Sequence, residues 1–319
     1  MVTDKRATRK IDMQILRLDL CSCMMFFTFF LLGGTLRLSA NDSLESLMND
    51  YCIFKVSFDK GDVNADIAAG REMGTAKGDN APAFQDGIRG KALLVNKTSV
   101  TEVSYSSSNN FILSKPGAIS FWIQPVQWLR GNDLPDLPGG KPGQKIQDGM
   151  NFFGTSMGKA CFAIKRQTTH DITRGKNDRL LVYSSDFNGI RDIRLWYKDM
   201  IWGEGEWHHL VLTWSRTDIV LFIDGKRVGQ KAIEKPMEIT PDTFTLGSQY
   251  GTSILLDEFY IFSKQLTDEE VKLLYTGDIC IGDADSQPGK GFSYIAWTPG
   301  INYGKNPADF ATIIPGKSK

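Results

Sequence analysis

The sequence predicts an all-β chain folded as one antiparallel sandwich, on three observations. Short runs rich in aromatic and β-branched residues recur with Gly, Asp and Pro between them, the composition of strands joined by turns. Several runs alternate with period two, as strands do when one face meets a core. Hydrophobic residues are 41% of the 319 and aromatic residues 11%, enough for a sizeable core, and 31 glycines serve many turns. A sandwich of roughly 200–250 residues fits this length as a single domain.

Ile53-Phe54-Lys55-Val56-Ser57-Phe58 is the first strand candidate, ended by Asp59-Lys60-Gly61. Asp62 to Gly90, rich in Gly, Ala and Asp, reads as mostly loop, and Lys91 to Val95 as a second strand. Gly117 to Pro125 alternates: Ile119, Phe121 and Ile123 share one side, and Ser120, Trp122 and Gln124 the other. Pro125, which lacks an N–H, is expected to end the pairing. Arg130 to Met150 carries Gly-Asn-Asp, Leu-Pro-Gly-Gly and Lys-Pro-Gly, the marks of a long surface loop.

Asn151 to Thr155, Ala160 to Arg166, Leu180 to Ser184 and Asp192 to Tyr197 are further strands. In the last, Ile193, Leu195 and Tyr197 make an apolar face, and Asp192, Arg194 and Trp196 a mixed one. Glu206 to Trp214 and Ile219 to Val228 give the strongest hairpin signal. Asp224-Gly225 begins a second hairpin, because that dipeptide accepts the positive φ angles of a type I′ turn. Phe244 to Gly247 and Ile254 to Phe262 are the final strands. Thr267-Asp268-Glu269-Glu270 has the capping-box pattern, with Leu266 and Val271 placed as a hydrophobic staple. Its acidic first turn suits the helix dipole, and Gly277 sits where a C′ residue would end the helix.

The N-terminus has a different composition. Lys5, Arg6, Arg9, Lys10 and Arg17 precede an apolar run from Leu20 to Leu32, and Leu38-Ser39-Ala40 offers a small residue for cleavage. That is the layout of a secretory signal over residues 1–40, followed by a polar spacer at 41–50. The run falls short of the ~20 apolar residues of a membrane span, so a membrane is involved only if the segment stays uncleaved as an anchor. The expected location is secreted, periplasmic or cell-surface. Lys+Arg and Asp+Glu both number 37, and no basic run marks the main body, which argues against nucleic acid as a partner.

Four segments, in order, resemble the laminin-G-like jellyroll family of the concanavalin A-like lectin and glucanase superfamily. They are Val56-Ser57-Phe58-Asp59 with Gly90-Lys91-Ala92-Leu93; Ile119 to Pro125; Trp207-His208-His209-Leu210 continuing to Leu221-Phe222-Ile223-Asp224-Gly225-Lys226; and Leu246-Gly247 followed by Leu256 to Phe262 and Leu266 to Val271. The resemblance covers about Tyr51 to Thr276. It implies a two-sheet antiparallel jelly-roll sandwich at 51–279, with the first and last strands adjacent and one short C-terminal helix, followed by an extension at 280–319. Adjacent end strands would bring Cys52 near Cys280 for a disulfide; the alternative is that Cys52, Cys161 and Cys280 are three unpaired thiols.

Lectin-like sandwiches of this superfamily commonly hold one calcium at a sheet rim. Asp59, ending the first strand, and Asp257, in the last, are the ligand candidates if those strands pair. The alternatives are a turn-capping Asp59 and a hydrogen-bonded Asp257. Glycosidic hydrolysis needs two carboxylates across the substrate. Asp257 and Glu258 are adjacent and expected to point to opposite sides of their strand, no Glu-x-Asp-x-Glu occurs, and Glu204-x-Glu206 lies at a Gly-rich turn. His208 and His209 are likewise expected to face apart, which disfavours a shared metal. The chain is therefore expected not to be an enzyme. A glycan platform needs aromatics beside planar polar groups. Asp192, Arg194 and Trp196 offer this, as does Trp122, whose alternative is to pack within the sandwich; Trp128 and Trp202 lie near loops. The expected function is carbohydrate binding by a curved sheet or rim loops. The alternatives are a cell-surface protein partner and, after that, a divergent glycosidase.

Overall fold

The computed structural model describes residues 43–96, 98–128, 149–155, 160–168, 178–186, 193–198, 200–234, 237, 241–247 and 253–281. The segments read from the sequence as a signal, as a long loop after Trp128 and as a C-terminal extension beyond Ile281 lie outside them. The chain divides into two compact units, Met1–Asn49 and Asp50–Lys319. Residues 43–51 form a helix, α1, where the sequence reads as a spacer.

The second unit is an all-β jelly-roll sandwich of two antiparallel sheets. The first sheet runs β14 (Lys226–Ala232), β13 (Asp218–Ile223), β12 (His208–Trp214), β7 (Gly117–Gln127), β16 (Ser253–Phe262), β1 (Cys52–Val56), β2 (Ile67–Ala68). β5 (Lys91–Val95) also pairs with β16, and β4 (Ala83–Asp86) pairs with β5. The second sheet runs β11 (Ile193–Tyr197), β10 (Asp178–Asp186), β9 (Ala160–Thr168), β8 (Gly149–Thr155), β15 (Thr243–Leu246), β6 (Glu102–Ser106), β3 (Thr75–Lys77). The end strands do lie side by side: β1 pairs β16, with Lys55 opposite Tyr260 and Val56 opposite Phe259.

The core fills from the alternation of both sheets. Phe54, Ile119, Phe121, Ile123, Leu210, Leu212, Phe259 and Ile261 descend from the first, and Phe153, Phe162, Ile164, Leu180, Val182 and Phe244 rise from the second. Its centre is aromatic: Phe54 meets Tyr105 and Phe244 edge-on at 5.0 and 5.2 Å, and Phe153 stacks on Phe244 at 5.7 Å and on Phe259 at 5.9 Å. Such pairs add to the burial of large apolar area.

The strands and the last helix depart from the sequence reading in their extents. β7 does not stop at Pro125 but reaches Gln127; Pro125 pairs with Ile254 at a register shift, and its free carbonyl accepts the Gly205 N–H. Asp62 to Gly90 is mostly loop, as read, with three short strands, β2, β3 and β4, within it. β6 was unread, although Val103 and Tyr105 alternate inward with exposed-side neighbours. The last helix, α2 (Asp268–Ile281), continues past Gly277, which lacks the positive φ of a C′ glycine. Its start is as expected: the Thr267 N–H donates to Glu270 Oε2 at 2.9 Å and the Glu270 N–H to Thr267 Oγ1 at 3.2 Å. Leu266 and Val271 are buried.

α2 covers the outer face of the first sheet. Tyr275 stacks on Trp122 at 5.6 Å and on His209 at 5.9 Å, and the Leu266 N–H donates to Thr213 Oγ1 at 2.8 Å. The Asp224-Gly225 turn has φ of 51° and 71°, the two positive values of type I′. A Cβ on Gly225 would sit 3.0 Å from the Tyr275 ring, so the glycine also admits the helix.

Candidate functional site

The two sheets differ in what their outer faces offer. On the first, Trp122 is 2% exposed beneath α2, with Ser120 at 0% and Gln124 at 8%. The expectation that Trp122 contacts ligand is corrected here: its side is polar-patterned in sequence, but a helix pays out its apolar stripe over it.

The outer face of the second sheet has no helix of this kind among the described residues. Period two places Lys165 and Gln167 of β9, Arg179, Leu181 and Tyr183 of β10, and Arg194 and Trp196 of β11 on that side, because Ile164, Leu180, Val182, Ile193 and Leu195 occupy the core. The register sets Lys165 opposite Leu181, Leu181 opposite Trp196, and Tyr183 opposite Arg194. Trp196 and Tyr183 are half-buried and Arg194 is exposed. The Lys165 ammonium and the Arg194 guanidinium each lie 5.7 Å from the Tyr183 ring centre, and Arg179 lies 5.9 Å from that of Trp196. At these distances the ring quadrupoles attract the cations. Arg194 and Trp196 are thus on one face, as their alternation implied. Asp192 lies outside the described residues. Tyr183, Lys165 and Arg179 were missed, and their alternation along β9 and β10 was the available signal.

Asp59 and Asp257 meet at one turn. Asp59 Oδ1 accepts the Lys91 N–H at 2.9 Å, and Asp257 Oδ2 accepts the Arg89 N–H at 3.1 Å, so both carboxylates grip the β4–β5 connection. Cβ atoms on Gly87 and Gly90 would fall 2.2 Å from Asp257 Oδ2 and 1.9 Å from Asp59 Oδ1, so only glycine fits there. Glu258 has φ of 47° and forms a bulge in β16. The bulge overturns the expectation that Asp257 and Glu258 point apart. Leu256 and Phe259 both face the core, so the two acids between them share the outer side. Asp257 and Glu258 are fully buried. Burial, then the Glu258 charge, push the Asp257 carboxyl well above the usual carboxylate range, and Asp59 adds to this. Glu258 meets Tyr260 Oη, Lys55 Nζ at 3.6 Å and Arg89 Nη1 at 3.9 Å. Among the described residues no three His, Cys, Asp or Glu side chains form a metal-binding group.

The histidines do face apart. His209 is fully buried with Nε2 2.8 Å from Ser120 Oγ, and burial pulls its pKa down to about 4 against a weaker upward pull from Asp224. Its Nδ1 has no hydrogen-bond partner, so the Ser–His pair has neither an orienting acid nor a path to solvent. His208 donates from Nδ1 to Asp224 Oδ2 at 2.9 Å and stacks on Trp202 at 4.4 Å. Trp202 stacks in turn on Trp128 at 5.8 Å, and both tryptophans are buried, closing one end of the sandwich. Glu204 accepts the Trp128 N–H at 3.1 Å and Glu206 the Gly203 N–H at 2.6 Å, which gives both acids a turn-holding role. Cys52 is a free thiol whose pKa burial raises to about 11, and the Cys280 side chain lies outside the described residues. No described helix is long and apolar enough to cross a membrane.

Residues 159–272 match the laminin G model of the concanavalin A-like lectin/glucanases superfamily. No curated protein sequence matches the chain. Among solved structures it is similar to the binding domain of botulinum neurotoxin DC in complex with rat synaptotagmin II (15% identity, TM-score 0.55, 72% of this chain and 52% of that one). It is similar to the same domain in complex with SialylT (16%, 0.54, 72% and 52%). It is also similar to the binding domain of Paraclostridial Mosquitocidal Protein 1 (19%, 0.53, 72% and 53%). The matched chains are thus covered over about half their length. At these identities the likeness bears on the concanavalin A-like fold.

Proposed function

We propose that the chain is an exported, non-catalytic binding module that holds carbohydrate on the outer face of the second sheet. The observation that carries this reading is Trp196 and Tyr183, half-exposed on neighbouring strands with Arg194 and Gln167 beside them. Rings of that kind supply apolar area for a sugar face, and the planar polar groups supply direction. The buried state of Asp257 and Glu258, and the turn-holding bonds of Glu204 and Glu206, leave none of these four acids arranged across an open substrate site. One similar binding domain has been solved with SialylT, which favours a sugar partner.

A structural calcium belongs to the same proposal. Asp59 and Asp257 hold one turn from two sides, and the charge of Asp59 is among those that raise the Asp257 carboxyl. A calcium there would take Asp59 and Asp257 as two of its oxygen ligands, with the rest from groups other than His, Cys, Asp or Glu side chains of the described residues, and would pin the turn.

Glycan-array screening of the secreted chain, with and without chelator, tests both parts. Binding to a saccharide that is lost in Trp196→Ala with the melting temperature kept is the expected result. No binding to any glycan under either condition defeats the sugar reading. A protein partner is the second reading, favoured by the similar domain solved with synaptotagmin and by Ile201, 83% exposed on a rim loop. Pull-down that depends on Ile201 and not on Trp196 would establish it instead.

A further inference from the structure

We infer that the saccharide held on this face is acidic, an oligosaccharide carrying carboxylate or sulfate groups. This rests on the carbohydrate reading above and names its ligand class.

Lys165, Arg179 and Arg194 come from three successive strands and stand on one side of the sheet. Lys165 and Arg194 approach the same Tyr183 ring, each at 5.7 Å from its centre. Two cations on one ring repel each other, and the ring attracts each only weakly when water is near. Lys165 and Arg179 have no carboxylate within ion-pair distance among the described residues, whereas Lys77, Lys60 and Lys264 elsewhere on the surface each have one, at 3.0, 2.9 and 2.7 Å. The β9–β11 end of the sheet face that no described helix covers thus carries three positive side chains, Lys165, Arg179 and Arg194. Lys231 of β14 adds to this edge, with Nζ 3.5 Å from the Arg194 carbonyl.

Geometry then selects the ligand. Adjacent strands lie about 4.8 Å apart, so Lys165 on β9 and Arg194 on β11 span roughly 10 Å, room for about two sugar rings laid across the strands. Leu181, 4% exposed, forms the floor between Lys165 and Trp196. An acidic disaccharide repeat can set a ring against Trp196 while its anionic groups meet Lys165, Arg179 and Arg194. A guanidinium fork matches carboxylate and sulfate oxygens alike. The neutral amide of Gln167, opposite Arg179, is placed for a sugar hydroxyl.

Isothermal titration of the full chain tests this with oligogalacturonate, a heparin-derived oligosaccharide, a neutral galacto-oligosaccharide and single-stranded oligothymidylate. One or both acidic probes are expected to bind at least tenfold more tightly than the neutral one in about 0.05 M NaCl. Most of that margin should vanish near 0.5 M salt, where exposed charges are screened. Which acidic probe binds identifies the anionic group. The Lys165→Gln, Arg179→Gln double variant should bring the acidic probe down to the neutral probe's affinity, and Lys165→Arg should restore most of the loss. Circular dichroism melting of each variant separates this from unfolding. If the neutral probe binds as tightly as the acidic ones, the acidic class is overturned and the carbohydrate reading stands. If no saccharide binds, both fall, and if oligothymidylate outbinds every saccharide the face belongs to nucleic acid.

Discussion

Replacing His209 by Gln should flatten the acid side of the stability profile. The imidazole is buried against Trp122 at 4.9 Å and Tyr275 at 5.9 Å, two rings that also meet each other, with Nε2 on Ser120. Its pKa falls from about 6.5 in an unfolded chain to about 4 in the folded one. The unfolded state therefore binds more protons between those values, and the stability that the neutral ring supplies is complete above pH ~6.5 and lost as the pH falls towards ~4. At 1.36 kcal/mol per pH unit the whole span is worth about 3 kcal/mol, to within a factor of two. Asp257 acts in the opposite sense. Its raised pKa favours the folded state at low pH and loses that advantage as the pH rises through the carboxylate range. The two effects overlap, so the difference between wild type and His209→Gln isolates the histidine. Urea unfolding at intervals between pH 4 and pH 7 is the assay. The reasoning fails if the two proteins keep parallel profiles over that range.

Trp122→Ala should cost about 3–5 kcal/mol, because it leaves a cavity against both His209 and Tyr275, and should leave glycan affinity unchanged where the protein remains folded; denaturant melts and titration separate the two. Gly225→Ala should destabilise by about 1–2 kcal/mol, read from the urea midpoint, since a Cβ meets both a positive φ and the Tyr275 ring. Thr267→Ala should cost about 1 kcal/mol through the lost cap, and Thr267→Ser should recover most of it in the same assay. Chelator should lower the melting temperature of the wild type but not that of Asp59→Asn, if the Asp59–Asp257 pair holds calcium; equal shifts in both would remove the cation from that turn.

Alternation made most strands legible, because Ile119, Phe121 and Ile123 or Leu210 and Leu212 repeat on the core side without interruption. The hairpin at Asp224-Gly225 and the Thr267 cap were legible for a local reason: the chemistry of each lies within four residues. Glu258 was not, since a single residue at positive φ moves its neighbour's facing without leaving a sign in composition. Trp122 was ambiguous because alternation says which side a residue faces and not what covers that side; α2, arriving from far along the chain, supplied the answer. The cationic face went half-read. Arg194 and Trp196 stand out on their own strand, while Lys165, Arg179 and Tyr183 join them only through the pairing of β9, β10 and β11.

The placement of β16 bears on how the chain matures. It is the last strand to leave the ribosome, yet it sits inside the first sheet with β7 on one flank and β5 and β1 on the other. Until residue 262 has emerged, β1 and β5 lack the strand that joins them to β7. Joining segments so distant in sequence carries a large ordering cost before any reward. The first sheet is therefore joined end to end only once β16 is made, whereas β7, β12, β13 and β14 can pair before it.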